Sequence, residues 1–315
     1  MKRRHFLKTA LAAGVAAHWN YCGKGDRQMK VSSIPRRKYN DDVSLSIIGF
    51  GGIVVVGLEQ KDANQMVVES IERGVNYFDV APTYGNGEAE EKLGIALRPY
   101  RKEVFLACKT TERDARGAQK ELEQSLRTLH TDYFDLYQFH GVTTMEDVEN
   151  IWAPGGAAET FIAAREQGEV RFLGFSAHSE QAALAMLERF EFDSILFPIN
   201  FVCYAQGDFG PRVVRRAKEK GVTLLALKAM AHHTYAESDE RIYPKCWYRP
   251  VTDPELARQA LRFTLSEGVT AAIPPGDERL FRLALSLAGE LDPIAPGERQ
   301  QLLANTQGLQ PIFHS

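Results

Sequence analysis

Four cysteines in 315 residues are few, and they are scattered: Cys22, Cys108, Cys203 and Cys246. No C-x-x-C pair occurs, which removes the spacing that structural zinc and iron–sulfur sites use. An excess of one charge is lacking too. A formal net charge of −3 offers no basic surface for nucleic acid. No apolar run is long enough to cross a bilayer comfortably, so stable membrane insertion is not expected. Also missing is the G-x-G-x-x-G turn of a doubly wound nucleotide-binding sheet. The candidate "GFGGIVVVG" has its glycines at 49, 51, 52 and 57, the wrong spacing.

What is present begins at the amino terminus. "MKRRHFLKTALAAGVAAHW" has a basic start followed by a short alanine-rich apolar run. Arg3-Arg4 with Phe6-Leu7-Lys8 resembles a twin-arginine export signal, read by the export machinery, and Val15-Ala16-Ala17 offers a cleavage site. Removing residues 1–17 takes away Lys2, Arg3, Arg4 and Lys8 and no acid, so −3 becomes about −7. The expected organisation is a signal over 1–17, a polar linker over 18–35 and one domain over 36–315, in a periplasmic or otherwise exported protein.

Beyond the linker the chain alternates. Eight short β-rich runs recur: "LSIIGFGGI", "VNYFDV", "VFLACKT", "YFDLYQFH", "RFLGFSAHS", "SILFPINFV", "TLLALKAM" and "TAAIPP". Between them lie helical patterns such as "ARGAQKELEQSLRTLH", "AAETFIAAREQG" and "PRVVRRAKEKG". The runs are apolar on both faces, as in a parallel sheet covered by helices. Eight β–α units in this length predict an α/β fold, a (β/α)8 TIM barrel. Residues 231–253 break the alternation and read as one long loop, rich in aromatics and prolines, of the kind that binds or covers a ligand. The C-terminal "PGERQQLLANTQGLQPIFHS" reads as an extra helix and a tail.

In such a barrel, chemistry sits where strands end. The second run ends at Asp79, with Tyr84 five residues on. The third ends at Lys109, the fourth at His140, the fifth at Ser176 and His178, the sixth at Asn200. An apolar strand closing on a lysine needs a partner for the charge. A tyrosine phenol ordinarily titrates near pH ~10, and a neighbouring ammonium lowers that value. A carboxylate fixes the ammonium, and a histidine can hydrogen-bond a carbonyl oxygen. Asp79, Tyr84, Lys109 and His140 are therefore the expected catalytic group, the parts of a proton donor for carbonyl reduction.

"NYFDVAPTYGNGEAEEKLGIAL", "VFLACKT", "LHTDYFDLYQFHGV" and "VRFLGFSAHS" resemble the aldo/keto reductases in order and spacing, over roughly residues 36 to 310. The resemblance implies a barrel that binds NADP or NAD in extended form, with a hairpin closing its bottom. It also implies that Tyr84 is the general acid, that Lys109 and Asp79 tune it, and that His140 orients the carbonyl. Cofactor contacts are then expected from Ser176, Asn200, Lys228, Gly276 and Arg279. Ala177 stands where the family carries an asparagine. Pro275 and Gly276 stand where it carries a lysine and a serine. Trp152, His232 and Trp247 are the expected substrate contacts, with a small carbonyl or hydroxyl compound as substrate and sugars among the candidates, since aromatic faces suit them. His232-His233 lacks a third spaced ligand, so no metal is expected. A nucleotide-binding sensor or accessory barrel with little turnover is the alternative.

Overall fold

The computed structural model describes residues 33–315; the export-signal reading lies outside the described residues. Strands β1 (Arg36–Lys38) and β2 (Ser44–Ser46) pair as an antiparallel hairpin. The barrel strands are β3 (Phe50–Gly51), β4 (Tyr77–Asp79), β5 (Phe105–Thr110), β6 (Phe134–Val142), β7 (Val170–Ala177), β8 (Ser194–Pro198), β9 (Thr223–Leu227) and β12 (Ala271–Ile273). A second hairpin, β10 (Ala231–Thr234) with β11 (Tyr248–Pro250), lies between β9 and β12. The helices are α1 (Gln60–Glu72), α2 (Glu88–Leu97), α3 (Ala115–Thr128), α4 (Met145–Trp152), α5 (Ala157–Gln167), α6 (Glu180–Arg189), α7 (Phe201–Gln206), α8 (Pro211–Glu219), α9 (Pro254–Ser266), α10 (Glu278–Leu287) and α11 (Pro296–Ala304).

Eight parallel strands follow one another in the order of the chain from β3 to β9, with β12 beside β9. A bridge between Ile48 and Ala272 joins the two ends. It is supported by Gly49 N–H to Ala272 O at 3.0 Å and Ala272 N–H to Ile47 O at 2.9 Å. The sheet thus becomes a barrel. Each strand turns alternate residues inward and outward. Outward residues such as Phe78, Cys108, Phe139 and Phe175 pack under the helices, while Tyr77, Phe105, Leu136, Leu196 and Leu225 fill the interior.

The first hairpin plugs the end of the barrel where strands begin. Tyr39 packs on Phe105 and Phe172 at ring distances of 5.0 and 5.2 Å, and its hydroxyl donates to Ser194 Oγ at 3.0 Å. Among the described residues the interior is therefore open to ligands at the opposite end, where strands finish.

Helix starts follow local chemistry. Asp114, Ser179 and Asp253 accept backbone N–H groups at the starts of α3, α6 and α9. Thr144 and Asp147 form a reciprocal capping box on α4, a helix the periodicity did not announce because it has only eight residues. The expected long loop over 231–253 is partly ordered as β10 and β11, leaving residues 235–247 as an excursion between them.

Candidate active site

Asp79 ends β4 facing inward, and Lys109 faces it from β5, fully buried. Lys109 Nζ donates to Asp79 Oδ1, to Val80 O at 3.1 Å and to Tyr84 Oη at 3.2 Å. All three ammonium protons thus have acceptors. Asp79 is held from two more sides: Tyr77 Oη donates to its Oδ2 at 3.3 Å and Gln138 Nε2 at 3.1 Å. His140, two residues beyond Gln138 on β6 and so on the same face, sets its ring edge-on to Tyr84 with centroids 5.7 Å apart. The four residues expected from the strand ends lie together at the open end of the barrel.

Tyr84 is delivered by a turn. Its N–H bonds Ala81 O at 3.0 Å, and Gly85, Asn86 and Gly87 follow with φ of 63°, 54° and 96°. Three consecutive left-handed residues reverse the chain into α2, and glycine and asparagine tolerate that conformation best.

Electrostatics fix the protonation states. Burial pulls the Lys109 ammonium down, but Asp79 and Tyr84 more than offset it, so its pKa is raised and it stays charged. For Tyr84 burial raises the pKa and outweighs the lowering by Lys109. The expected net lowering of the phenol is therefore corrected: at neutral pH Tyr84 is a protonated acid with a charged donor on its oxygen. Burial, then Lys109, His178 and Arg113, bring His140 down to about 3, so the imidazole is neutral. Arg113 Nη2 donates to His140 O at 2.8 Å, which steadies that end of β6.

The other expected contacts divide. Lys228 lines a cleft together with Asp79, Tyr84, Gly51, Leu227 and Pro274–Gly276, at the end of β9 and β12. Ser176 Oγ accepts Gly141 N–H at 2.8 Å, beside His140. Asn200 is fully engaged within the protein: its Oδ1 accepts from Val202 N (2.9 Å) and Cys203 N (3.0 Å), and its Nδ2 donates to Lys228 O (3.0 Å) and Ala231 O. It caps α7 and fastens the β9–β10 turn rather than offering an amide to a ligand. Arg279 pairs with Asp277 through two bonds of 2.8 and 2.9 Å and donates to Ile242 O at 3.1 Å, so its charge is already matched. Gly276 packs on Ile53, where a side chain would collide.

Trp152 is corrected. It ends α4 and packs tilted on Phe190 and edge-on to Phe192, with ring centroids 5.3 and 6.2 Å away, in the outer layer under the helices. The inward-facing catalytic group lies on the other face of the sheet. His232 faces Phe201 at 6.0 Å and shares a 2.8 Å Nδ1 contact with His233, on the second hairpin and not on the wall of the Tyr84 cleft. Trp247 is half-exposed at the rim, beside Lys228 and Phe313. Sequence reasoning missed Gln138 and Tyr77. Each precedes a recognised inward residue by two, which is the signal that identifies them. Among the described residues no three His, Cys, Asp or Glu side chains gather as a metal-binding group.

Residues 48–275 match the family model for the aldo/keto reductase family. The chain belongs to the aldo/keto reductase family. Among curated members it is similar to the methylglyoxal reductase YeaE of Escherichia coli, 36% identical over 152 residues, covering 44% of this chain and 48% of that protein. It is also similar to the aldo-keto reductase YhdN of Bacillus subtilis, 32% identical over 149 residues, covering 44% and 43%. The chain spans about half the length of the curated relatives it matches. Among solved structures, the holo form of an aldo-keto reductase from Bacillus halodurans superposes with a TM-score of 0.69 at 22% identity, covering 90% of this chain and 98% of that one. That likeness concerns the barrel.

Proposed function

We propose that the protein reduces aldehyde or ketone carbonyls to alcohols, or runs the reverse reaction, with NADP or NAD as redox partner. The observation that carries this reading is the Asp79–Lys109–Tyr84 chain opening onto a cleft beside His140. Inside the cleft, Gly51 leaves the wall bare, since a side chain there would strike Ile273 Cγ2 at 2.8 Å, and Lys228 contributes a cation. Gly51, Leu227 and Ile273 would hold the flat nicotinamide ring, and the Pro274–Gly276 turn before α10 would hold a phosphate. When bound, the reduced nicotinamide supplies the hydride that the carbonyl carbon receives.

The protein's own groups handle the oxygen. The neutral His140 imidazole donates a hydrogen bond to the carbonyl oxygen and holds it against Tyr84. Tyr84 Oη gives its proton to that oxygen as negative charge develops there. Lys109 Nζ, already bonded to Tyr84 Oη, stabilises the phenolate left behind. Asp79, fixed by Tyr77 and Gln138, keeps the ammonium charged and aimed. Titrating NADH and NADPH by fluorescence and then screening aldehydes tests the reading. Tyr84→Phe should lower turnover by about 10²-fold or more while nucleotide binding persists. A variant as fast as the parent would contradict the role.

The same proposal includes export. Arg3-Arg4 and the apolar run after them support a twin-arginine signal, and a periplasmic enzyme would meet little free nucleotide. The 235–247 excursion is fastened beside the cleft by Lys245, which donates to Val54 O at 3.0 Å and to Glu278 Oε2 at 3.1 Å. A retained nucleotide is consistent with that fastening. Cell fractionation of the Arg3→Lys, Arg4→Lys double variant checks export: the expected result is accumulation in the cytoplasm.

A further inference from the structure

Lys228 is unlike the other cation on the cleft. Lys245 has Glu278 and a carbonyl as partners, whereas Lys228 Nζ has neither a carboxylate nor a hydrogen bond among the described residues. It lies instead over the rings of Tyr248 and Trp247, 4.9 and 5.4 Å from their centroids. Cation–π attraction recovers only part of the hydration a half-buried ammonium loses. The backbone of Lys228 holds φ at +67°, a region that L side chains rarely adopt. A lysine kept in that conformation at the lip of a cleft is placed there for its side chain.

The surroundings indicate which anion completes the charge. Trp247 meets Phe313 edge-on at 5.7 Å, and Phe313 stacks flat on His178 at 5.4 Å. The C-terminal tail brings Phe313 there, tied down by Thr234 N–H to Gln310 O and by Ser315 N–H to Gly207 O. Burial and the Lys228 charge bring the His178 imidazole down to about 4, and His178 in turn acts on His140. The rings therefore form a wall running from Lys228 toward the carbonyl site at Tyr84 and His140. Two anions reach such a cleft: a phosphate of the nucleotide and an acid group carried by the substrate. The wall leads from Lys228 to the tail and the catalytic histidine, and this favours the substrate.

We propose that Lys228, walled by Trp247, Phe313 and His178, is a specificity subsite for a carboxylate or phosphate on the carbonyl substrate. The enzyme is then selective for oxo acids or phosphorylated aldehydes over neutral carbonyls of the same length. The inference rests on the carbonyl-reductase reading, and its test separates the two. With NADPH or NADH supplied, kcat/KM is measured for 4-oxobutanoate and for butanal. The parent should favour the acid by about tenfold or more. In Lys228→Met that preference should collapse, mainly through KM of the acid, while Lys228→Arg keeps most of it. Nucleotide affinity, measured by fluorescence on the same proteins, should change little.

Equal kcat/KM for acid and neutral aldehyde in the parent overturns the proposal. So does a Lys228→Met protein with weakened nucleotide binding and an unchanged preference, since the ammonium would then serve a nucleotide phosphate. Should neither aldehyde be reduced, the reductase reading fails and binding alone decides the subsite. Glutarate is titrated against tryptophan emission, for which Trp247 is the reporter beside Lys228. A saturable change that Lys228→Met abolishes supports the subsite, and its absence in the parent overturns it.

Discussion

Lys109 shows how far one residue's surroundings determine its effect. Methionine at 109 matches its length but leaves the Asp79 carboxylate buried with only Tyr77 and Gln138 as donors. Removing one partner of a buried ion pair costs about 3–5 kcal/mol, so Lys109→Met should show that loss in urea unfolding along with loss of turnover. Gln138→Leu removes one neutral donor from the same carboxylate and should cost less, about 1–3 kcal/mol. The raised pKa of Tyr84 sets a pH expectation. Its acid form persists past its ordinary range, so reductive kcat should not fall between about pH 6 and pH 9 for lack of the proton. Stopped-flow rates across that range check it. Asp79, Lys109 and His140 were legible because each ends an apolar run, where a polar residue is conspicuous. Tyr77 and Gln138 were not, because a polar group inside a run shows its direction only once the phase of the strand is known. Asn200 was misread for a related reason: its position at a strand end is real, but its amide is consumed by capping α7 and closing a turn.

Elements carry different constraints from the residues they present. Helices α2 and α3 approach closely at Gly94, where an added Cβ would stand 2.9 Å from Leu129 Cα and collide with Thr128 O. Both obstacles are backbone and cannot rotate away. Gly94→Ala should therefore destabilise by about 1–3 kcal/mol despite alanine's better helix propensity, as thermal melts would register. At the start of α10, the Arg279 charge is matched by Asp277. Asp277→Asn should free that guanidinium and raise affinity for NADPH relative to NADH, measured by parallel titrations. The strands and the longer helices could be read from periodicity. Helices α4 and α7 could not, having eight and six residues, and neither could the β10–β11 hairpin, whose pairing bridges the 235–247 excursion. Trp152 was placed with the ligand because periodicity does not announce a helix as short as α4. Once the helix forms, its last turn carries the ring into the outer layer.

The whole molecule has a predictable response to acid. His140, His178 and His232 are enclosed and neutral, brought down chiefly by burial to about 3, about 4 and about 4. An unfolded histidine titrates near pH ~6.5. Between these values the unfolded chain binds more protons than the folded one, so stability rises with pH across the window and is lost as pH falls from about 6.5 toward 4. The melting temperature should drop across that interval, and His140→Gln should make the drop shallower. The architecture itself was legible because eight β–α repeats leave few closed arrangements. How the ring is fastened was not, since strand β3 has only two residues and the closing contact with β12 is a single bridge from Ile48, just before it. That bridge is the thinnest place in an otherwise continuous cylinder of hydrogen bonds. Deuterium should enter the amides of Gly49 and Ala272 sooner than those of β5 to β8, and a barrel that breathes would part first along this line, next to the wall that Gly51 and Ile273 contribute to the cleft.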